Sequence, residues 1–343
     1  MLRKHLSQGN SSLSDRESGQ RRLRPSLAIV LSLLFLSPVF GQSFTDIVVF
    51  GDSLSDPGNH FVEFGTSSHQ PFAPIPDASY DIGGHHFSNG ATWIERVATA
   101  LKMPTNGDPA FRSPGIFTNY AVGRARSRAC SSVLAACPDG QYPFSVVDLN
   151  FETTRFMTDF AGAAPPNDLY VMWIGANDLD DALTALQTDP TGATSTAILT
   201  AAIKSEATSL QALYLAGART FLVPNAVNFA YAPFVQALGP PATILSAQFA
   251  QASDAGMAQV MSAMSALPGI RFISFDGNAL FAAIEANPAA YGITNATEPC
   301  LSFSVIGHAI CSNPNKHLFW DGLHPTTAGH QQIASAVLQL LSQ

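Results

Sequence analysis

Short apolar segments alternate with long helical segments along most of this 343-residue chain. Four segments favour buried strands because they are continuous, apolar and rich in β-branched and aromatic residues: residues 44–50, 167–175, 219–225 and 271–276. Alanine-rich or amphipathic segments that favour helices occupy residues 92–101, 193–216, 242–266 and 327–341. Strands joined through helices form right-handed crossovers and a parallel sheet covered on both faces. The sequence therefore predicts an α/β fold.

Two stretches between these segments, residues 60–90 and 124–166, are irregular and rich in proline and glycine. Stretches of this kind inside one α/β unit are typical of insertions that flank a cleft, rather than of separate domains. We therefore predict a single domain over residues 42–343. A short strand that ends in glycine is also expected at residues 118–123, "TNYAVG".

The first 41 residues have the composition of an export signal. Three arginines between residues 21 and 24 form a basic region, and the 14 residues 27–40 form an apolar run that is short for a membrane span. Small or medium residues then stand where a signal peptidase requires them. We expect cleavage near Gly41/Gln42 and a secreted or periplasmic protein. An uncleaved membrane anchor is the alternative.

Acidic residues outnumber basic residues by 25 to 17 in the whole chain, and by 23 to 11 without residues 1–41. The resulting net charge of −12 on the exported part does not suit binding to nucleic acid or to anionic membranes. We expect no nucleic-acid partner, no stable membrane anchor and a monomer.

The chain has four cysteines, and none of them forms a CxxC pair: Cys130, Cys137, Cys300 and Cys311. A zinc site is therefore not expected. An even count in an exported chain favours disulfides. Among the three possible connectivities we favour the short-loop pairs, Cys130–Cys137 and Cys300–Cys311. Four free thiols are the alternative.

A polar turn follows the first predicted strand abruptly, in "VVFGDSLSDPGN" (residues 48–59). Ser53 lies two residues beyond the strand, where a helix would begin. Backbone N–H groups at a helix start are unpaired and favour negative charge, so a nucleophile there would have an oxyanion donor close by. On this turn alone, Asp52 and Ser53 could equally well cap a helix.

A serine nucleophile needs a base, and "FWDGLHPTTAGH" near the other end of the chain supplies one. His324 can accept the serine proton, while Asp321 can fix the imidazole tautomer and stabilise the imidazolium. The D-x-x-H spacing lets both side chains come from one loop. A second histidine, His330, belongs to the helix that follows, and we assign it a structural role.

Two further positions are candidates for stabilising an oxyanion. Asn177 follows the strand "YVMWIG" within "GAND", and Gly123 ends "NYAVG", where a bare backbone N–H could approach a ligand. Each is a weak indication on its own, because glycine and asparagine are both common turn residues.

Four segments in order, "FGDSLSDPGN", "NYAVG", "GAND" and "DGLHP", resemble the four sequence blocks of the GDSL, or SGNH, hydrolase family. The resemblance runs from about residue 46 to the last helix. A further segment, "FSNGATW" at residues 87–93, is similar to the branch of extracellular lipases, phospholipases and plant-type esterases. The chain has no G-x-S-x-G motif, so it is not predicted to have the nucleophile elbow of ordinary α/β-hydrolases.

The resemblance implies a three-layer α/β/α sandwich around a parallel sheet of about five strands, with no metal or organic cofactor. It assigns the nucleophile to Ser53 and the acid and base to Asp321 and His324. It assigns the oxyanion donors to the N–H groups of Ser53 and Gly123 and to the Asn177 side chain. This chain departs from the family pattern after Gly123, where many relatives have a second glycine and this chain has Arg124.

The sequence therefore predicts a secreted serine esterase or lipase that acts through an acyl-enzyme on a small-molecule, lipid or carbohydrate ester. The same acyl-enzyme would serve an acyltransferase or a phospholipase, and the fold also hosts carbohydrate O-acetylesterases. A catalytically silent extracellular binding protein is the alternative from another class. The complete set of five site residues argues against it, because a silent relative usually lacks at least one.

Overall fold

Parallel pairing of the apolar segments builds the sheet that the sequence predicts. The computed structural model describes residues 44–129 and 147–343. Within these residues, four parallel strands pair in chain order: Ile47–Gly51 (β1), Leu169–Trp173 (β2), Thr220–Pro224 (β3) and Arg271–Phe275 (β4). The predicted α/β fold with a parallel sheet is confirmed.

Residues 118–122 extend the sheet beyond β1. This segment pairs in parallel with β1 through three backbone hydrogen bonds: Val49 N–H to Thr118 O at 3.0 Å, Tyr120 N–H to Val49 O at 2.8 Å and Val122 N–H to Gly51 O at 3.1 Å. The expected count of about five strands therefore corresponds to four strands and this short paired segment. Its carboxyl end lies beside that of β1, where the predicted nucleophile turn begins.

Helices connect the strands. They are Asn59–Phe64 (α1), Trp93–Ala100 (α2), Leu149–Asp159 (α3), Ala176–Ala185 (α4), Ala193–Ala216 (α5), Pro233–Ala237 (α6), Pro240–Met264 (α7), Gly277–Ala286 (α8) and Thr327–Leu341 (α9). The bounds of α5 and α9 agree with the sequence-based expectation. Gly217 ends α5 with a φ of 124°, a conformation that favours glycine.

Side chains of alternate strand residues point to opposite faces of the sheet and divide the core in two. Val48, Phe50 and Tyr170 pack against α3, α5 and α7 on one face. Ile47 and Val49 pack against α2, α8 and α9 on the other. Helices therefore cover both faces, as a three-layer α/β/α arrangement requires.

Several elements were not expected from the sequence, among them a helix and a second sheet. Helix α3 lies within residues 124–166, which we predicted to be loop-rich, and its β-branched threonines hide the helical pattern. The helix is stabilised by Asp148, which accepts a hydrogen bond from Phe151 N–H at 2.8 Å, and by burial of Leu149 and Phe156. A small parallel sheet of Asn295–Pro299 (β5) and His317–Phe319 (β6) was also missed.

The predicted export segment 1–41 and the Cys130–Cys137 pair lie outside the described residues. Among residues 44–129 and 147–343, no helix combines the length and the apolar character needed to cross a bilayer.

Cys300 and Cys311 form a disulfide, as predicted, with their Cα atoms 4.9 Å apart. The bond closes a hairpin in which Ser302 N–H donates to Ala309 O at 2.7 Å. At the hairpin base, Leu301 N–H donates to Trp320 O at 2.9 Å. The disulfide loop is thus attached to the residue that immediately precedes Asp321.

We predict that replacing Cys300 and Cys311 together by alanine lowers the free energy of unfolding by about 2–3 kcal/mol, because the open loop regains entropy in the unfolded chain. Each single variant loses the same bond, so the double variant should be destabilised no more than about 1 kcal/mol beyond either single variant. Urea denaturation measures both effects. Unchanged midpoints would contradict the prediction.

Candidate active site

The structure brings together three of the predicted site residues. Ser53 Oγ lies 2.8 Å from His324 Nε2, and His324 Nδ1 lies 2.8 Å from Asp321 Oδ2. All three side chains are buried or nearly so. With the imidazole proton on Nδ1, the hydroxyl donates to Nε2 and Nδ1–H donates to the carboxylate. This arrangement allows His324 to remove the Ser53 proton.

The Asp321 carboxylate organises the loop that supplies the base. Its Oδ1 accepts hydrogen bonds from Leu323 N–H at 2.8 Å and His324 N–H at 2.7 Å, which closes the D-x-x-H turn. Its Oδ2 accepts from Tyr80 O–H at 2.9 Å as well as from His324. The anion is fully buried, and these four donors compensate for its lost hydration.

Sequence reasoning missed Tyr80, which lies in the irregular stretch 60–90. Its side chain is fully buried, and its ring contacts Phe72 and Trp320 edge-to-face. Burial and the neighbouring Asp321 carboxylate raise the pKa of the Tyr80 hydroxyl far above its usual range. The hydroxyl therefore stays protonated around neutral pH and donates to Asp321.

Asp52 connects the nucleophile turn to the start of α4. Its carboxylate accepts hydrogen bonds from the N–H groups of Leu54, at 3.1 Å, and Ala176. Burial raises the pKa of Asp52 to about 6, while these hydrogen bonds and the nearby His324 act in the opposite direction. The residue before Ser53 thus fixes the position of the helix that bears Asn177.

The structure corrects the expectation for Gly123. Its N–H donates to Asp56 Oδ2 at 2.7 Å, within a turn where Asp56 also accepts from Gly58 N–H at 2.7 Å and Asn59 N–H at 2.6 Å. This buried hydrogen bond uses the donor that was assigned to the oxyanion. Gly123 also does not line the cavity in front of Ser53.

Close packing explains why residue 123 is a glycine. A Cβ atom at this position would lie 1.9 Å from a ring carbon of Phe87, and the Phe87 ring centroid is 5.4 Å from that of His324. A side chain at 123 would displace the aromatic ring that supports the base. The glycine and the "FSNGATW" segment are therefore coupled by packing.

Asn177 is the second residue of α4 and lines the same cavity as Ser53 and His324. Its Nδ2 donates to Ala125 O at 2.8 Å, which fixes the orientation of the amide. A carboxamide nitrogen has two N–H donors, so a second donor is available at this nitrogen. Asn177 keeps the position that the sequence predicts for an oxyanion donor.

A cavity of about 120 Å³ opens in front of Ser53 at the carboxyl end of the strands. Both irregular stretches, 60–90 and 124–166, contribute to its walls, and Ile75, Phe229 and Leu323 are among the apolar residues that line it. Arg124 also lines it and has a φ of 70°, a left-handed conformation that favours glycine and matches the second glycine of many relatives. The Arg124 Nη1 donates to Asp77 O at 2.8 Å.

A buried ion network holds the segment after Gly123 against α4. Arg126 forms a bidentate pair with Asp181, with N–O distances of 2.6 and 2.9 Å. Asp178 accepts from Ser127 N–H at 2.7 Å, and burial raises the pKa of Asp178 to about 7. The network keeps Ala125 in place as the partner of Asn177. Sequence reasoning did not find it, because its members are spread over about 50 residues.

Two more buried ionisable residues border the site. Glu152 on α3 accepts hydrogen bonds from Gly51 N–H at 2.9 Å and Val122 N–H at 3.2 Å, and burial raises its pKa well above the usual range. His330 is buried within α9, outside the Ser53 cavity, and burial lowers its pKa well below the usual range. The neutral His330 fits the structural role expected for it.

Comparison with known proteins identifies the relatives of this chain. Residues 47–337 match the sequence profile described as GDSL-like Lipase/Acylhydrolase. The chain is 27% identical over 311 residues to the thermolabile hemolysin of Vibrio parahaemolyticus serotype O3:K6, an alignment that covers 85% of this chain and 63% of the hemolysin.

Plant proteins are similar over more of their length. One GDSL esterase/lipase of Arabidopsis thaliana is 26% identical over 317 residues, which is 82% of this chain and 78% of the relative. Another is 25% identical over 350 residues, which is 90% of this chain and 89% of the relative.

We predict that Tyr80→Phe shifts the acid limb of the kcat/KM profile for ester hydrolysis upward by about 0.5–1 pH unit. Without the Tyr80 hydrogen bond, the negative charge of Asp321 is less dispersed and stabilises the His324 imidazolium more strongly. The pH dependence of kcat/KM measures this shift.

Tyr120→Phe is the matched control, because Tyr120 is also fully buried and its hydroxyl donates to Asp159 at 2.8 Å, away from Ser53. Both variants should lose about 1–3 kcal/mol of stability. The pH profile should move in the Tyr80 variant alone. Equal profiles in the two variants would reduce Tyr80 to a packing role.

Proposed function

Because the chain belongs to the GDSL-like lipase/acylhydrolase family, whose members act on ester bonds, we propose that it is a secreted carboxylic ester hydrolase with Ser53 as its nucleophile. The observation that supports this most directly is the continuous contact from Ser53 through His324 to Asp321, with both distances at 2.8 Å. The disulfide agrees with an oxidising compartment. We assign export to residues 1–41, with cleavage near Gly41/Gln42.

The proposed reaction has two steps. Ser53 Oγ attacks the ester carbonyl while His324 Nε2 accepts the hydroxyl proton, and the collapse of the tetrahedral intermediate expels the alcohol, which takes that proton. Water then attacks the acyl-enzyme with His324 again as base. The acid departs and Ser53 regains its proton. Asp321 keeps the imidazole oriented and stabilises its positive charge in both steps.

Two donors are proposed for the oxyanion of each intermediate. One is the Ser53 N–H at the turn after β1, and the other is the Asn177 carboxamide. The position of Asn177 in the cavity wall supports this role, and its bond to Ala125 O holds the amide before substrate arrives. The Gly123 N–H is not included, since it donates to Asp56.

The cavity wall favours an ester with an apolar acyl group, because Leu54, Phe229 and Leu323 are among the residues that line it. A membrane-lipid ester is a second candidate, favoured by the similarity to a protein named hemolysin. An ester panel graded by acyl length, with phosphatidylcholine and an acetylated sugar included, separates lipase, phospholipase and acetylesterase. Added alcohol acceptors test for acyl transfer by the same acyl-enzyme.

We expect Ser53→Ala to abolish ester hydrolysis and labelling by a fluorophosphonate probe, with the fold intact. Ser55→Ala serves as the control, because Ser55 lies in the same turn and its Oγ accepts from Trp93 Nε1–H at 3.1 Å. That variant should lose stability and still be labelled. Normal labelling of Ser53→Ala, followed by mass spectrometry, would assign the nucleophile to another residue.

Asn177→Ala should lower kcat by a factor of about 10²–10³ with little change in KM, because an oxyanion donor acts mainly in the transition state. Asn278→Ala is the matched control. Asn278 is also the second residue of its helix, and its Nδ2 donates to Ala226 O at 2.9 Å, but it does not line the Ser53 cavity. The control should lose stability alone. A loss of stability without a loss of kcat in Asn177→Ala would refute the donor role.

A further inference from the structure

The disulfide-closed hairpin, residues 300–311, exposes two large apolar side chains at its tip. Val305 is 41% exposed and Ile306 is 85% exposed, the largest exposed fraction given for any large apolar side chain among the described residues. We call these two residues the apolar tip. Contiguous exposed apolar groups beside a binding site are typical of an interaction surface rather than of ordinary solvent contact.

The hairpin is held in one conformation by contacts on both sides of the tip. Ser304 N–H donates to Phe72 O at 2.9 Å, and Gly307 N–H donates to Gln70 Oε1 at 2.7 Å. Ser304 and His308 have left-handed φ values of 59° and 47°, which non-glycine residues adopt only where the surroundings require it. The exposure of the tip is therefore a fixed feature of the fold.

Chain connectivity places the apolar tip near the candidate active site. Ser304 is hydrogen-bonded to Phe72 through the backbone. Three residues further along the chain, Ile75 lines the Ser53 cavity. Three extended residues span at most about 11 Å. At the base of the hairpin, Leu301 N–H is hydrogen-bonded to the backbone of Trp320, which precedes Asp321 in the chain. The hairpin that carries the tip is therefore connected to the wall of the Ser53 cavity through short segments on both sides.

The charges around the tip restrict what kind of surface can receive it. Residues 299–315 contain no Asp, Glu, Lys or Arg, and the adjoining residues 69–82 contain Asp77 and Asp81 but no Lys or Arg. Without residues 1–41 the chain has a net charge of −12. The hairpin therefore has no Lys or Arg side chain to attract an anionic membrane, whereas a lipid surface without net charge needs none.

We propose that the apolar tip inserts into a zwitterionic phospholipid surface and holds the Ser53 cavity against it. The inference rests on the proposed function and narrows the substrate class to lipid esters presented in an aggregate. Transfer of the Val305 and Ile306 side chains from water to the acyl region favours binding. The hairpin has no Asp, Glu, Lys or Arg, so binding does not require charged lipids. A specific protein partner is the competing occupant.

The test uses phosphatidylcholine vesicles and a Ser53→Ala background, so that the vesicles are not degraded. The parent protein should sediment with the vesicles. Ile306→Ser should weaken the partition coefficient by about tenfold, and the double change with Val305→Ser by about 30- to 100-fold. Ile116→Ser is the matched control, because Ile116 is 66% exposed but precedes the segment 118–122, at the amino end of the sheet.

Several results would overturn the proposal. The first two are a parent protein that does not bind these vesicles and tip variants that bind them as well as the parent does. The others are a loss of vesicle affinity in Ile116→Ser equal to that in Ile306→Ser, and tighter binding to vesicles with added phosphatidylglycerol. With Ser53 intact, the tip variants should hydrolyse a soluble short-chain ester within about twofold of the parent, since a monomeric substrate reaches the cavity from water. A parent protein that does not hydrolyse the soluble ester would refute the proposed function, whereas the binding of vesicles would be judged from the sedimentation alone.

Discussion

The Asp321 carboxylate is the group on which the candidate active site depends. A buried anion is tolerated only when hydrogen bonds replace its hydration, and this one has four donors from two distant parts of the chain. Two backbone donors shape the turn that leads to His324, and the imidazole and Tyr80 supply the others. The hydrogen bonds to this one carboxylate therefore shape a loop, orient the His324 imidazole and attach residues 60–90 to the loop that follows β6.

Other buried carboxylates also accept backbone hydrogen bonds at the carboxyl ends of the strands. Asp52, Asp56 and Glu152 are buried, and each accepts hydrogen bonds from backbone N–H groups of more than one segment. Backbone donors at strand ends and helix starts have no partners in regular structure, so buried carboxylates satisfy them. This explains why the apolar strand β1 gives way so abruptly to an acidic turn. The polar residues of that turn fix the position of the segment that carries Ser53.

Sequence reasoning succeeded where the physics is local. The strands, the helix 193–216 and the last helix follow from periodicity and apolar content. The pairing of Ser53 with His324 is not local, and it was predicted because a serine nucleophile needs a base and because the chain resembles a known family. Sequence reasoning failed where a residue acts through a partner far away in the chain. Tyr80 reaches Asp321 across 241 positions, and nothing in its local sequence marks that contact. Helix α3 was missed because tertiary packing, not propensity, stabilises it.

Gly123 shows how a correct motif can lead to an incorrect role. The ring of Phe87 leaves no room for a Cβ atom at position 123, and the Gly123 N–H donates to Asp56. The missing side chain and the backbone donor are therefore both used in the structure around the site. The donors that we propose for the oxyanion have positions that depend on that structure. The Ser53 N–H depends on the turn that Asp56 helps to shape, and Asn177 depends on Ala125, two residues beyond Gly123. The glycine thus affects the proposed oxyanion site through the geometry of its neighbours, and the motif alone does not tell which N–H group faces the substrate.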